Sequence, residues 1–355
     1  MKKTRISIVL GGFAIGGAEN MVFEQIKKMN TDRFCVNVLC CSPKKNNALE
    51  AAVEKLVPVT YLTETGRITP GSLIRVLKAL RKQKPDVVHT HLGGNGFGAI
   101  WSILFGKPLV ITVHTIPQKA FTAKVEKLVR QALRKGKTRL VAVSEENAKA
   151  VKAYFGLDDK KCVFVNNGID LDRFYRSAHE NVTIIHVGRQ DDNKNQAALI
   201  RCFARLREKE PNVKLLLLGD GPNHGALAQL AKELNVADAV TLTGNVSNTE
   251  DYYAVSDLYV QCSHREAMPL CVLEAMAAGL PIVSTDVGGL RDVVQDNGIL
   301  VPDNNEEALY QAIETIYRQT PEEAAARQHA SGRLVQGYSS QTMARAYEDI
   351  YKQMC

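Results

Sequence analysis

The sequence predicts an α/β protein of two tandem, doubly wound parallel-sheet domains, and three observations predict it. At 355 residues the chain exceeds one typical core and suits two of about 150–200 residues each. Short runs rich in β-branched residues alternate with amphipathic stretches of helical length, which is the spacing of βαβ units. That alternation stops near residue 166 and restarts near residue 182.

In the first half the strand-like runs are 6–12, 34–41, 57–62, 86–91, 109–114, 139–143 and 162–165. Helix-like runs lie between them, among them 18–29, 71–83 and 122–133. Lys2, Lys3 and Arg5 imitate the start of a secretory leader, but the apolar run behind them meets Gly11 and Gly12 too soon for a leader core and reads as a strand. Polar residues at 166–170 and 179–181 mark a linker near 166–180. Beyond it, strands are expected at 182–187, 213–218, 239–242, 258–260 and 281–284, with helices at 193–209 and 222–234. Three helical stretches close the chain, at 306–318, 322–335 and 341–353. The expected domains are 1–170 and 171–339, with a final helix, 340–355, returning to the first.

Hydrophobic content of 45% and charged content of 23% are ordinary for a soluble globular protein. No apolar run reaches the about 18 residues that span a bilayer. Seven of the eight cysteines sit in or beside apolar runs without CxxC or Cys/His spacing, and Cys355 ends the chain without a prenylation box. This is the usage of a reducing, cytoplasmic compartment. Charge is unevenly spread: residues 1–165 carry 28 Lys and Arg against 12 Asp and Glu, the remainder 17 against 26. A basic half suggests an anionic partner. The basic stretch 119–139 has an apolar face, and such a helix can dock on anionic lipid or pack inward as an ordinary sheet-covering helix. No RNA-binding motif or aromatic platform is present, which disfavours nucleic acid.

The chemistry concentrates at 263–281. A strand leads into a loop carrying Glu266, then Met268 and Pro269, then a helix carrying Glu274. Pro269 suits a first helical turn, where its missing N–H costs nothing. The free N–H groups of Leu270 and Cys271 then favour an anion such as a diphosphate. With about 1.5 Å of rise per residue, Glu266 and Glu274 can address opposite ends of one ligand. Arg189 offers a bidentate fork and Lys194 a point charge for the same phosphates. His114 ends a strand. His89 and His91 share one strand face. A metal there needs a third ligand that is not evident, so a packed strand end is expected.

The 263–281 segment resembles the signature of glycosyltransferase family 4, and Thr285-Asp286-Val287-Gly288-Gly289 matches that family too. One departure is Ala267, where the family has glycine. The resemblance extends over nearly the whole chain. Val187-Gly188-Arg189 with Lys194-Asn195 is similar to the family's basic pair. Leu218-Gly219-Asp220-Gly221-Pro222 is similar to its second-domain glycine loop. Asn166-Asn167-Gly168-Ile169-Asp170 resembles its interdomain segment, so Asp170-x-Asp172 is not read as a metal-binding DxD. Gly11 to Glu19, with Gly16 and Gly17, resembles its first glycine loop, and His114 stands where the family has a histidine beside the donor sugar.

The resemblance implies a GT-B fold, two Rossmann-like domains facing each other across a cleft. It implies a retaining transferase that moves a hexose or N-acetylhexosamine from a nucleotide diphosphate sugar, UDP expected, to a glycan or lipid-linked acceptor in surface polysaccharide or glycolipid synthesis. His114, Arg189, Lys194 and Glu266 are the expected catalytic residues. Gly16, Gly17, Gly219, Asp220, Met268, Pro269, Leu270, Cys271 and Glu274 are the expected donor-binding residues. No cofactor or metal is expected, since the cations and the helix start counter the leaving diphosphate. Two alternatives stay open: a sugar-nucleotide epimerase of the same fold, and a non-catalytic glycan-binding partner of another transferase.

Overall fold

Strands covered by helices on both faces must be apolar on both, and the central strands here are buried from end to end. The structure, a computed structural model, describes residues 2–13, 16–62 and 69–355. The chain divides into two units, Met1–Gly168 with Ser340–Cys355, and Ile169–Ser339.

The first unit holds β1 (Thr4–Leu10), β2 (Phe34–Cys40), β3 (Val59–Tyr61), β4 (Val87–His91), β5 (Leu109–Val113), β6 (Thr138–Ala142) and β7 (Cys162–Phe164). They pair in the order β3-β2-β1-β4-β5-β6-β7, all parallel. The second unit holds β8 (Thr183–Val187), β9 (Lys214–Leu218), β10 (Val240–Gly244), β11 (Leu258–Gln261), β12 (Ile282–Thr285) and β13 (Gly298–Val301). Their order is β10-β9-β8-β11-β12-β13, again all parallel. In each sheet the chain winds one way and then the other. The reversal lies between β1 and β4 in the first unit and between β8 and β11 in the second, where open α/β sheets bind ligands at their carboxyl edge.

Each unit has its own core. Val88, Phe97, Trp101, Ile111 and Leu140 belong to the first, and Leu199, Phe203, Leu215, Val260 and Ile313 to the second. The last helix, Ser340–Met354, packs on the first unit: Tyr351 meets the edge of Phe34 at 6.1 Å, and Gln25 Nε2 donates to the Tyr351 hydroxyl at 2.7 Å.

Four local expectations change. The helix expected from 193 starts at Gln196, because Asn195 takes a left-handed φ of 52° and the Lys194 N–H bonds back to Asp191 O at 3.0 Å. β13 was not anticipated; its four residues are mostly half-buried and carry little periodicity. Pro269 is the N-cap rather than the first helical residue, since its ψ of 127° is extended while its carbonyl accepts from Val272 N–H at 3.3 Å. The basic stretch 119–139 is split into the ends of Pro117–Ala120, the helix Ala123–Arg134 and the start of β6. Val129, Ala132 and Leu133 of that helix are buried in the core, with Phe121, Val125 and Leu128 packed against it, so the apolar face is already occupied.

Candidate active site

The second unit's site is built by the two loops that leave the sheet at its reversal point. The loop after β8 carries Arg189 and Lys194, and the loop after β11 carries Glu266. They are stitched together by His264 N–H to Asn193 O (2.8 Å) and Asn193 Nδ2 to Arg265 O (3.0 Å). That stitching carries Lys194 across Gly188 to Glu266, where Nζ lies 2.6 Å from Oε1. Both side chains are largely buried, at 17% and 11% exposure. Burial pushes the Lys194 ammonium down, but the Glu266 carboxylate leads a larger upward push, and the net shift is upward. Lys194 therefore holds its charge in a low-dielectric setting, where it acts more strongly than in water.

The glycine at Gly288 makes room for this loop. Its φ is +57°, and a Cβ there would stand 1.8 Å from Glu266 O. The Thr285 to Gly289 segment can therefore lie against the Glu266 loop, and Gly289 N–H bonds Ala267 O at 2.9 Å. Ala267 is not among the residues with positive φ, so alanine there demands no glycine-only backbone. Gly219 plays the equivalent part beside β8: with φ +116°, its missing Cβ would strike Gly188 O at 2.2 Å.

The helix Leu270–Ala277 begins directly after this loop. Among the hydrogen bonds of the described residues, none is donated by the N–H of Leu270 or Cys271. Glu274 is the helix's fifth residue. Its carboxylate lies 3.1 Å from the Tyr253 hydroxyl, which also lies 3.0 Å from Cys271 O. Burial raises the Glu274 pKa, and the Tyr253 hydrogen bond opposes that. Met268 is buried, and burial pushes the Cys271 thiol up to about 11, so Cys271 is a packed thiol.

Lys194, Glu266 and the helix start are thus brought together, with Glu274 one turn further on. Arg189 is not drawn into that cluster: its side chain is 71% exposed and its nearest charge is Asp191 at 3.6 Å. Asp220 is exposed and turned to its own loop, accepting from Gly221 N–H at 2.7 Å.

In the first unit, Gly16 caps and Gly17 opens the helix Gly17–Lys28, while Ala14 and Ile15 of the glycine loop lie outside the described residues. His114 follows β5, and its Nε2 lies 2.9 Å from His91 Nδ1. His89 stands beside them with Nδ1 2.6 Å from the Tyr351 hydroxyl and Nε2 2.8 Å from Thr112 Oγ1, which in turn lies 3.0 Å from the Tyr347 hydroxyl. The three imidazoles are neutral. Burial lowers His89 to about 3 and His114 to about 4, and lowers His91 well below its ordinary value. No metal-binding group of three or more His, Cys, Asp or Glu occurs among the described residues.

Sequence reasoning missed Gln261, Tyr253 and the tyrosines of the last helix. Gln261 had one readable signal, a polar residue closing an otherwise apolar buried strand.

The family comparisons agree with this architecture. A family model described as "Glycosyl transferases group 1" matches residues 170–347, and one described as "Glycosyltransferase Family 4" matches residues 15–173. The chain is similar to N-acetylgalactosamine-N,N'-diacetylbacillosaminyl-diphospho-undecaprenol 4-alpha-N-acetylgalactosaminyltransferase of Campylobacter jejuni, 29% identical over 331 residues, covering 88% of this chain and 90% of that one. It is 25% identical over 325 residues to UDP-Gal:alpha-D-GlcNAc-diphosphoundecaprenol alpha-1,3-galactosyltransferase of Escherichia coli, covering 84% of each. Its fold matches Anabaena HepE, solved in complex with UDP and glucose, with a TM-score of 0.85 at 22% identity over 99% of this chain and 100% of that one.

Proposed function

This chain belongs to the family 4 glycosyltransferases of GT-B fold, and on that premise we propose that it is a retaining, UDP-sugar-dependent hexosyl- or N-acetylhexosaminyltransferase acting on a glycan or lipid-linked acceptor. The observation that carries the reading is the buried Lys194–Glu266 pair, 2.6 Å apart, in the loop that opens directly into the helix bearing Glu274. A buried cation beside a helix start suits a diphosphate. Glu274 is assigned to the ribose hydroxyls and Glu266 to the sugar. Met268, Pro269, Leu270 and Cys271 line the phosphate end, with Gly219 and Asp220 from the neighbouring loop. From the first unit, Gly16, Gly17 and His114 are assigned to donor and acceptor.

In the proposed step, an acceptor hydroxyl oxygen bonds to the anomeric carbon on the face that the diphosphate leaves. The bond from that carbon to the phosphate oxygen breaks, and the hydroxyl proton passes to the departing phosphate. Arg189, Lys194 and the helix start counter the charge, so the reaction as proposed needs no metal. The two relatives are named for diphospho-undecaprenol acceptors and, in one case, a UDP-Gal donor, which supports both substrate classes.

UDP release from a panel of UDP-sugars, with and without lipid-linked acceptor, tests this. Glu274→Ala should raise donor KM at least about tenfold by removing ribose hydrogen bonds. Lys194→Ala should lower kcat by about a hundredfold or more, because it removes charge stabilisation at the leaving group. Arg189→Ala should lower kcat less, since its side chain is exposed and screened. Wild-type rates in all three would refute the assignment, and acceptor-independent UDP release would favour the epimerase.

The same reading places the enzyme at the cytoplasmic face of a membrane. No helix among the described residues is long and apolar enough to cross one. The helix Ala123–Arg134 and the turn after it expose Lys124, Lys127, Arg134, Lys135 and Lys137, whereas Arg130 is tied to Glu126 at 2.8 Å. With the apolar face committed to the core, contact with lipid is electrostatic. Cosedimentation with phosphatidylglycerol vesicles should therefore fall as salt rises from about 0.05 to 0.5 M, where the Debye length shortens severalfold. Salt-insensitive cosedimentation counts against it.

A further inference from the structure

Gln261 closes β11 with no exposure at all, and all of its amide's hydrogen-bonding capacity is used. Nε2 donates to Ser263 Oγ at 2.6 Å and to Glu266 Oε1 at 2.9 Å. Oε1 accepts from the Tyr259 hydroxyl and from Cys271 Sγ, the latter at 3.7 Å. The contact to Glu266 decides which way the amide faces, because a flipped amide would set its carbonyl oxygen against a carboxylate oxygen that can only accept. Glu266 Oε1 thus receives two donors, Lys194 Nζ and Gln261 Nε2. Oε2 has no protein donor among the described residues and is the oxygen left for a ligand hydroxyl.

The two donors differ in kind. Lys194 neutralises Glu266 and is also the cation that a bound diphosphate demands. Gln261 orients the carboxylate without charge and is held by its own neighbours. A carboxylate pinned only by Lys194 would lose its aim whenever the ammonium turned to phosphate. We propose that Gln261 is a positioning residue that keeps Glu266 aimed at the donor sugar while Lys194 serves the diphosphate. This rests on the donor-site reading above and assigns Gln261 to recognition of the sugar, separate from recognition of the nucleotide.

The test uses the full-length protein with UDP, UDP-glucose, UDP-galactose, UDP-N-acetylglucosamine and UDP-N-acetylgalactosamine. Dissociation constants come from calorimetry and turnover from UDP release. Gln261→Met keeps an unbranched side chain and removes the amide. Its UDP affinity should stay within about twofold of wild type, while kcat and the extra affinity for the preferred UDP-sugar over UDP fall by about 10- to 100-fold, as for a lost hydrogen bond to a charged group. Gln261→Glu keeps the shape and puts a second carboxyl against Glu266, with Lys194, Ser263, Tyr259 and Cys271 as the other groups facing it. Two carboxyls so close share a proton. The protonated form can donate as the amide did, so activity should recover as pH falls, on a limb that wild type lacks.

Wild-type sugar selectivity and pH profile in both variants would overturn the role. So would equal loss of UDP and UDP-sugar binding, which marks a general scaffold residue. If Gln261→Met does not fold, the pH profile of the isosteric Gln261→Glu decides. Glu266→Ala is run alongside: wild-type turnover there, or no binding of any of these ligands by the parent protein, defeats the donor-site reading and the positioning role with it. Loss in Glu266→Ala with normal Gln261 variants defeats the positioning role alone.

Discussion

Glu274 shows at the scale of one residue how a binding group strains its own fold. Burial raises its pKa, with Tyr253 and the charge of Arg173 pulling the other way. A carboxyl whose folded pKa exceeds its unfolded value binds its proton more tightly when folded, so its contribution to stability falls as pH rises through that interval. Glu274→Gln should therefore melt higher than wild type at neutral pH while binding UDP more weakly, and a lower melting temperature would contradict this account. Tyr253→Phe removes the hydroxyl 3.1 Å from the carboxylate. Donor KM should rise about three- to tenfold, as for loss of one ordinary hydrogen bond felt only through Glu274, with kcat little changed because the contact lies away from the reacting bond. A fall in kcat with unchanged KM would assign Tyr253 a different part. Tyr253 was not readable as functional from local pattern, because it acts through Glu274, 21 residues on, and Gln261 offered only the sign of a polar residue closing an apolar strand.

At the scale of elements, the final helix completes the histidine cluster of the first unit. Tyr351 satisfies His89 Nδ1 and receives the Gln25 amide, and Tyr347 meets Thr112. Tyr351→Phe leaves His89 Nδ1 and the Gln25 amide without that partner in a dry interior, at a cost of about 1–3 kcal/mol. Trp101, the single tryptophan, is buried in this unit's core, so urea unfolding followed by its fluorescence reads the first unit specifically. An unchanged urea midpoint would show that the helix is held by packing alone. The periodicity of residues 341–353 announced a helix, but the depth of burial of its tyrosines depends on the sheet it meets. The basic helix Ala123–Arg134 teaches the converse: an apolar face legible in sequence does not say what covers it, and here the protein's own core does.

At the scale of the whole molecule, the two units should differ in their response to acid. His89, His91 and His114 are held neutral by burial, the first and last at about 3 and about 4. Their folded pKa values lie below the unfolded one, so the unfolded chain takes up protons first. Stability is then lost as pH falls from the unfolded value toward the folded ones, at up to about 4 kcal/mol per pH unit for three groups. The second unit has one such histidine, His186, at about 4, while His179 is shifted upward despite its burial, by Asp257 above all. Trp101 fluorescence should show the first unit's urea midpoint dropping steeply below pH 6, and a flat profile would refute the neutral cluster. The sequence alone determined the alternation of strands and helices, the restart near residue 182, the loops rich in glycine and the motif of the donor loop, because each is written in local periodicity or backbone tolerance. β13 escaped because four residues carry too little period to read. Only the tertiary structure decided that Lys194 is paired with Glu266, 72 residues away, that Gln261 supports the same oxygen, and that Tyr351 reaches His89 across 262 residues. Strand order at a reversal point chooses which loops become neighbours, and that order comes from crossovers packing on both faces of a sheet, which no local pattern records.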